Sequence, residues 1–237
     1  MGPDNDKGRK SKLYNAIKNT LLFAEFSDEE LIGLERVIIE KRFSKNEVVL
    51  LEEDSSNYMY VVYSGKVKAV QTSVDGKEHI LAVRGKGDFF GEMGILDGKT
   101  SPATVIAMED AEIGLIAKND FERYLLTDQR FLRQIILLLC SRLRESWLKL
   151  KVLSLSEAES RVRAMLKLIS DQYGIKDQRG ILISLKLTHK DISLYVSLSR
   201  ETVTRQLDKL LKGDEIEILE NKHILLKPAF FEKMLFW

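Results

Sequence analysis

The chain of 237 residues has a single cysteine, Cys140, and three histidines. One cysteine excludes an internal disulfide and makes the cytoplasm the expected compartment. It also excludes an iron–sulfur cluster held by four thiolates of one chain. The histidines, His79, His189 and His223, fall on separate predicted elements and are too dispersed for one zinc site. We therefore predict no metal site.

Long apolar runs and a strong net charge are also missing. The densest apolar run, Ile135–Cys140, is far too short to span a bilayer, and no secretory signal is evident near the N-terminus. The net charge of +1 means that any nucleic-acid binding must come from a local basic patch. No P-loop, nucleophile elbow, zinc-ligand spacing or pair of catalytic carboxylates is present, so we do not expect an enzyme.

The first half of the chain has the pattern of a small β-domain. Residues 1–19 are predicted to be a mobile tail, and Ser27–Glu30 forms a capping box for a helix carrying Leu31, Leu34 and Ile38. From Phe43 the apolar period is two, and glycine-containing turns separate short segments. The predicted strands are Glu47–Glu52, Tyr58–Ser64, Lys66–Val74, His79–Arg84, Thr104–Ala107 and Glu112–Ala117. Such spacing favours an antiparallel barrel or sandwich.

A long helix follows, because Phe121–Leu155 contains neither glycine nor proline. Within it, residues recur at alternating steps of three and four: Ile136, Leu139, Leu143, Ser146, Leu150 and Leu153. We call these six residues the heptad stripe. It favours a homodimer through helix 127–155, and the alternative is an amphipathic helix that lies on its own barrel.

The last part of the chain, 156–237, has the element order of a winged helix-turn-helix. A second capping box, Ser156–Glu159, opens a helix that Gly174 ends as a C′ residue. The following elements are a strand (Ile181–Leu185), two short helices (Thr188–Val196 and Ser199–Lys212) and a hairpin (Glu215–Leu219 and His223–Lys227).

The second short helix has the pattern of a recognition helix. Ser199 can cap it, and Val203, Leu207 and Leu210 face the core. The residues left to face the bases of DNA are Arg200, Glu201, Thr204 and Arg205. The residues expected at the DNA backbone are Thr188, Lys190, Ser199, Thr202 and Lys222. The alternative for Glu201 and Arg205 is a plain surface pair.

These motifs resemble the cyclic-AMP receptor protein/fumarate-nitrate reductase regulator (CRP/FNR) family of bacterial regulators. The resemblance runs from Leu22 to Lys227 and rests on Gly87–Gly94 (GDFFGEMG), the long helix and Ser199–Arg205 (SRETVTR). It implies an α+β chain with a cyclic-nucleotide-binding-like β-barrel (double-stranded β-helix) at 20–126, a dimerisation helix at 127–155 and the DNA-binding domain. It also implies an effector-gated homodimer that binds double-stranded DNA and works with RNA polymerase. In the cyclic-AMP branch, residues matching Arg200, Glu201 and Arg205 read a TGTGA-type half-site.

The resemblance fails at the effector site. Cyclic-nucleotide binders of the family use a glutamate, here Glu92, for the ribose and an Arg-Ser or Arg-Ala pair for the phosphate. This chain has Ser101 and Pro102 in the place of that pair. The proline also removes a backbone donor. The helix has Ser146-Trp147 where a Thr-Ser pair would hold adenine. The candidate pocket comprises Gly91, Glu92, Met93, Ser101, Ala103, Thr104, Ser146 and Trp147.

We therefore expect an effector other than cyclic AMP. One alternative is a regulatory protein that retains cyclic AMP, with Lys99 supplying the missing charge. Another is a haem-based gas sensor with His79, Met59 or Met93 as an axial ligand. A third, a nucleotide-gated subunit of an enzyme or channel, would need no helix-turn-helix.

Overall fold

The structure is a computed structural model, and it describes residues 12–18, 20–23, 25–55, 57–74, 76–220 and 222–234. The chain divides into two compact units, Met1–Arg142 and Leu143–Trp237, and each is described by itself. In the described ranges no helix is both long and apolar enough to cross a membrane. The same residues contain no cluster of three His, Cys, Asp or Glu side chains suited to a metal ion.

The first unit contains two antiparallel four-stranded sheets. Its strands are β1 (Ile38–Phe43), β2 (Val48–Leu50), β3 (Tyr58–Ser64), β4 (Val67–Thr72), β5 (Glu78–Arg84), β6 (Phe89–Phe90), β7 (Thr104–Ala107) and β8 (Ala111–Ala117). One sheet has the order β1-β8-β3-β6 and the other the order β2-β7-β4-β5. The antiparallel β-domain predicted from the period of two is confirmed.

Alternation along β3 explains why this sheet is buried on both faces. Met59, Val61 and Tyr63 point to a core shared with the helices of the unit. Tyr60 and Val62 point to a second core, which also contains Leu50 and Val67 of the other sheet. Because successive side chains of a strand face opposite sides, an apolar run without polar interruption fills both cores.

Helices cover the outer face of that sheet. They are α1 (Lys12–Ile17), α2 (Asp28–Glu35), α3 (Glu92–Asp97), α4 (Lys118–Asp120) and α5 (Gln129–Ser154), with a 3₁₀ turn at Leu21–Phe23 and a π-helical turn at Phe121–Leu125. The capping box of α2 is present, with Ser27 and Glu30 bonding each other's backbone N–H groups. α5, which extends past the first unit into Leu143–Ser154, is the predicted long helix.

Two expectations for this unit need correction. The mobile tail was expected to reach residue 19, but Lys12–Ile17 is helical and its Tyr14 and Ile17 are buried. Residues 1–11 lie outside the described part. Ile38 was expected in the helix, yet it begins β1 and pairs with Ile116. The β-branched run around Ile38 pairs with the edge of β8, and this tertiary pairing outweighs the helical spacing.

The second unit consists of helices packed on one small sheet. Its elements after α5 are α6 (Ala158–Tyr173), β9 (Gly174–Asp177), β10 (Gly180–Ile183), α7 (His189–Val196), α8 (Arg200–Lys212), β11 (Ile216–Ile218), β12 (Ile224–Leu226) and α9 (Pro228–Glu232). The antiparallel order β11-β12-β10-β9 places the predicted hairpin beside β10. The winged helix-turn-helix architecture is confirmed.

α6 ends at Tyr173 as predicted, but both of its predicted caps are wrong. Glu157 takes the N-cap position in place of Ser156 and makes no side-chain capping bond. The carboxylate of Glu159, which was expected to close the box on Ser156, pairs with Arg163 at 2.9 Å and with Lys209. Gly174 is extended, at φ −82° and ψ 135°, and starts β9. A Cβ there would lie 2.1 Å from the carbonyl oxygen of Ser170. The glycine therefore permits close backbone approach and is not a left-handed cap.

Candidate functional site

Short-range capping fixes the helix-turn-helix in position. Thr188 Oγ1 accepts a hydrogen bond from Asp191 N at 3.0 Å, and the Asp191 carboxylate accepts one from Thr188 N at 3.1 Å. Both halves of a capping box are therefore present at the start of α7. The turn after α7 contains Ser197 in the left-handed region, at φ 55°. Ser199 then caps α8 by accepting from Thr202 N at 3.1 Å.

Burial of one face of α8 determines which residues it presents outward. Val203, Leu207 and Leu210 are each at most 1% exposed. Arg200, Glu201 and Arg205 are exposed, and Thr204 is half-buried. Because these polar residues occupy the first turns of α8, the placement agrees with the sequence prediction, while their role in reading bases remains a prediction.

The charged side chains at the start of α8 interact with their own helix end. The pKa of Glu201 is lowered by hydrogen bonding of its carboxylate to its own backbone N–H, by the adjacent Ser199 side chain and by the Arg200 charge. The Ser199 hydroxyl itself donates to Thr202 Oγ1 at 3.0 Å. Arg205 donates to Thr202 Oγ1 at 3.3 Å. Within the described residues no ion pair joins Glu201 to Arg205. Both side chains are therefore available to a ligand at this surface.

The residues predicted at the DNA backbone lie on α7, on α8 and in the turn of the β11–β12 hairpin. Thr188 and Ser199 are the N-caps of α7 and α8, and Thr202 supplies the capped N–H group. Lys190 is exposed in the first turn of α7. Lys222 is exposed in the turn of the β11–β12 hairpin, at φ 65°. Contact between these residues and DNA remains a prediction.

The candidate effector site begins at a glycine turn between β6 and α3. Gly91 has φ +83°, and a Cβ at this position would lie 2.8 Å from the carbonyl oxygen of Tyr58 and 2.8 Å from the ring of Tyr60. Only glycine fits such a left-handed and crowded position. The turn directs the next residue, Glu92, into the protein, where it is 1% exposed.

A buried ion pair occupies Glu92. Nη1 of Arg142, on α5, donates to Glu92 Oε1, and Nη2 of Arg142 donates to the carbonyl oxygen of Phe89. The side chains are 19% and 1% exposed for Arg142 and Glu92. Glu92 Oε2 is buried and accepts no hydrogen bond from the described residues. One carboxylate oxygen is thus committed to α5, and the other remains able to accept a donor.

In the loop that takes the place of the phosphate clamp, the side-chain hydroxyl groups of Ser101 and Thr104 form hydrogen bonds with the protein backbone. Ser101 is 5% exposed, and its hydroxyl donates to the carbonyl oxygen of Ala103 at 2.8 Å. Thr104 Oγ1 accepts from the backbone N–H of Glu52 at 3.0 Å. Lys99, which could supply a substitute charge, is exposed. No cationic side chain of the described residues 99–104 is buried in this loop.

Comparison with known proteins identifies both domains. A cyclic nucleotide-binding domain model matches residues 40–128, and a Crp-like helix-turn-helix domain model matches residues 160–233. The Cyclic AMP receptor protein of Thermus thermophilus is 29% identical over 222 residues, which cover 93% of this chain and 99% of that protein. The Anaerobic regulatory protein of Bacillus subtilis is 27% identical over 209 residues, covering 84% and 87% of the two chains.

The chain belongs to the CRP/FNR family of transcription regulators. A CooA mutant structure from Carboxydothermus hydrogenoformans matches with a TM-score of 0.75 and 24% identity, covering 91% of this chain and 96% of that one. At that identity the likeness concerns the fold alone. The resemblance inferred from the sequence motifs is confirmed.

The remaining predicted effector residues of this CRP/FNR chain lie in different surroundings. Met93 is 48% exposed on α3, whereas Met59 is completely buried in the core of the first unit. His79 lies on β5 opposite Gln71. Trp147, in the part of α5 that belongs to the second unit, is 60% exposed and next to exposed Ser146. Their participation in an effector pocket remains a prediction.

Sequence reasoning missed Arg142. The signal was a second stripe on the same helix, where Phe131, Ile135, Leu138 and Arg142 recur at steps of four, three and four. Phe131 and Ile135 are in the core of the first unit, and Leu138 packs against it. An arginine in register with a buried apolar stripe predicts a buried acidic partner.

We expect Arg142→Ala to lower the free energy of unfolding by about 3–5 kcal/mol, because it leaves the buried Glu92 charge unpaired. The double variant Arg142→Met/Glu92→Gln should lose much less, since neither charge remains. Urea denaturation followed by circular dichroism measures both. Arg144→Ala, at an exposed position of the same helix, is the control and should change the free energy by at most about 0.5 kcal/mol. An Arg142→Ala variant as stable as this control would contradict the role of the pair.

Proposed function

We propose that the protein is an effector-gated transcription regulator that binds a palindromic, TGTGA-like DNA site as a homodimer. The observation that carries this proposal is the exposure of Arg200, Glu201 and Arg205 at the capped start of α8. Arginine can donate two hydrogen bonds to O6 and N7 of guanine, and glutamate can accept one from N4 of cytosine. We assign the two arginines to guanines and Glu201 to a cytosine.

Exposure of the heptad stripe on α5 supports the homodimer. Ile136, Leu143 and Leu150 are 59%, 51% and 63% exposed in the single chain. Apolar residues at heptad spacing are stabilised when a second helix covers them. A symmetric dimer in turn requires a two-fold symmetric operator, with half-site centres about 34 Å apart.

The chemistry of the effector site supports an effector other than cyclic AMP. A cyclic phosphate would lose its charge-assisted bond, since Ser101 and Pro102 replace the clamp and the Ser101 hydroxyl is already used by Ala103. The alternative, retained cyclic AMP, is favoured by the name of the Thermus thermophilus relative. Because the cation missing from the loop is the decisive difference, we place cyclic AMP second. RNA polymerase is the proposed protein partner and the cytoplasm the proposed location, in line with transcription regulation.

Replacing Leu150 with lysine should convert the dimer to a monomer, because two like charges would then face each other where the two heptad stripes meet. Leu143→Lys should act in the same way. Sedimentation velocity should show a species near 27.2 kDa in place of twice that mass. Leu148→Lys changes another exposed leucine, 40% exposed and off the stripe, and should remain dimeric. A dimer that survives both stripe variants would show that α5 is not the interface.

Selection of bound sequences from random duplexes tests the base assignments. Arg200→Ala and Arg205→Ala should each cost about 1–3 kcal/mol and relax the preference for one guanine per half-site. Lys190→Ala and Lys222→Ala serve as controls. Loss of a phosphate contact should lower the affinity for all sequences equally, and it should reduce the slope of log affinity against log salt concentration by about one. If no enriched guanine depends on Arg200 or Arg205, the assignment is wrong.

Calorimetry with cyclic AMP at millimolar concentration should give no binding heat. The physical reason is that the loop offers no cation to the phosphate. The Thermus thermophilus relative, measured in parallel, is the control for the nucleotide. Micromolar affinity that disappears in Glu92→Ala would show that the site holds cyclic AMP after all.

A further inference from the structure

A hydrogen-bond chain links the first helix of the helix-turn-helix to the second. His189 Nδ1, on the first residue of α7, lies 2.8 Å from Thr204 Oγ1 on α8. The same Oγ1 donates to the carbonyl oxygen of Arg200 at 2.9 Å. His189 therefore contacts a side chain that belongs to the predicted base-reading set.

The hydrogen bonds of Thr204 indicate which nitrogen of the His189 ring carries a hydrogen. A threonine hydroxyl has one proton, and here it goes to the carbonyl oxygen of Arg200. Thr204 Oγ1 can then only accept from His189, so we assign the hydrogen of the ring to Nδ1. The other nitrogen, Nε2, accepts a hydrogen bond when the ring is neutral and donates one when the ring is protonated.

The position of His189 places the ring at the DNA-facing surface of the unit. It is half-buried, is followed directly by exposed Lys190, and is tied to Thr204 between the base-reading residues Glu201 and Arg205. In helix-turn-helix proteins the first helix crosses the DNA backbone while the second enters the groove. A side chain that joins the starts of both helices lies where phosphate oxygens pass.

We propose that His189 is a phosphate ligand of DNA and that its Nε2 takes up a proton when DNA binds. The proposal rests on the DNA-binding function proposed above. Thr204 positions the ring by accepting from Nδ1, and a phosphate oxygen accepts from protonated Nε2. Because an opposite charge favours the charged form of a group, the phosphate stabilises the protonated ring in the complex.

The charged neighbours of His189 allow this role. Its own helix brings Lys190 and Asp191, and Asp191 is engaged in the capping box of Thr188. α8 brings Arg200, Glu201, Arg205 and Asp208 to the turns around Thr204.

α6, also packed on α7, has its charges engaged elsewhere. Glu159 pairs with Lys209, Arg163 with Glu215 and Lys167 with Asp171, while Arg161 donates to the carbonyl oxygen of Leu155. From α5, Lys149 lies over the ring of Tyr195, 4.3 Å from its centroid. None of these contacts involves the His189 ring. The ring is therefore not paired with a carboxylate when a phosphate approaches it.

The consequence is a linkage between pH and DNA affinity. If binding takes up one proton, affinity falls as pH rises through the range in which histidine loses its charge, about pH 5–8. The charge-assisted bond to phosphate is the stronger form of the contact. We expect the wild-type protein to bind about tenfold more tightly at about pH 6 than at about pH 8.

Fluorescence anisotropy at low salt, with the full chain, tests this. The two probes are a duplex with two TGTGA half-sites and a scrambled duplex of the same length. His189→Gln should remove the pH dependence on both, and His189→Arg should bind tightly at every pH. Thr204→Val, which keeps the shape but removes the hydroxyl, should reduce the pH dependence because the ring loses its acceptor. His223→Gln and His79→Gln are the matched controls and should keep the wild-type dependence.

A pH dependence that persists in His189→Gln, or that only His223→Gln removes, would overturn the proposal. A thermal melt verifies that the His189→Gln variant is folded. Thr204→Val tests the same contact with a second, independent variant. Equal affinity for the two duplexes would count against the base-reading proposal alone, since a phosphate contact acts on any sequence. Binding to neither duplex would overturn both proposals.

Discussion

The buried carboxylate of Glu92 is the constraint on which the first unit depends. A charge that is 99% removed from solvent must be paired, and Arg142 of α5 is its partner. The pair and the apolar stripe of Phe131 and Ile135 attach one face of α5 to the β-domain. The heptad stripe lies about 100° around the helix from this face, and we propose that a second chain covers it. An effector that bonds Glu92 would therefore act on the helix proposed to hold the dimer.

The sensing and DNA-reading regions of the chain differ in how they relate to the family. At the start of α8, caps, buried leucines and exposed arginines all agree with a recognition helix. At the effector site, the glycine turn and the glutamate are kept, while Ser101 is turned inward onto Ala103. At this candidate site, Glu92 Oε2 is buried and has no hydrogen-bond partner among the described residues.

Local patterns predicted the elements well where each residue has one role. The capping boxes of Ser27 and Thr188 and the alternation along β3 follow from neighbours in the sequence. The errors arose where distant contacts decide. Ile38 pairs with Ile116 across the sheet, and Glu159 bonds Lys209 instead of closing a cap. Arg142 and the bond between His189 and Thr204 depend on which helix faces meet, which no local window contains.

We propose, as the central claim, a dimeric CRP/FNR regulator that has a DNA-reading helix and a dimer helix but no cyclic-nucleotide clamp. Native mass spectrometry of the purified full chain, together with its absorbance spectrum, tests that claim most directly. We expect twice the mass of the 27.2 kDa chain, no bound cyclic AMP and no haem absorbance. A monomer, or a dimer that carries cyclic AMP, would contradict it, whereas haem absorbance would favour the haem-based alternative.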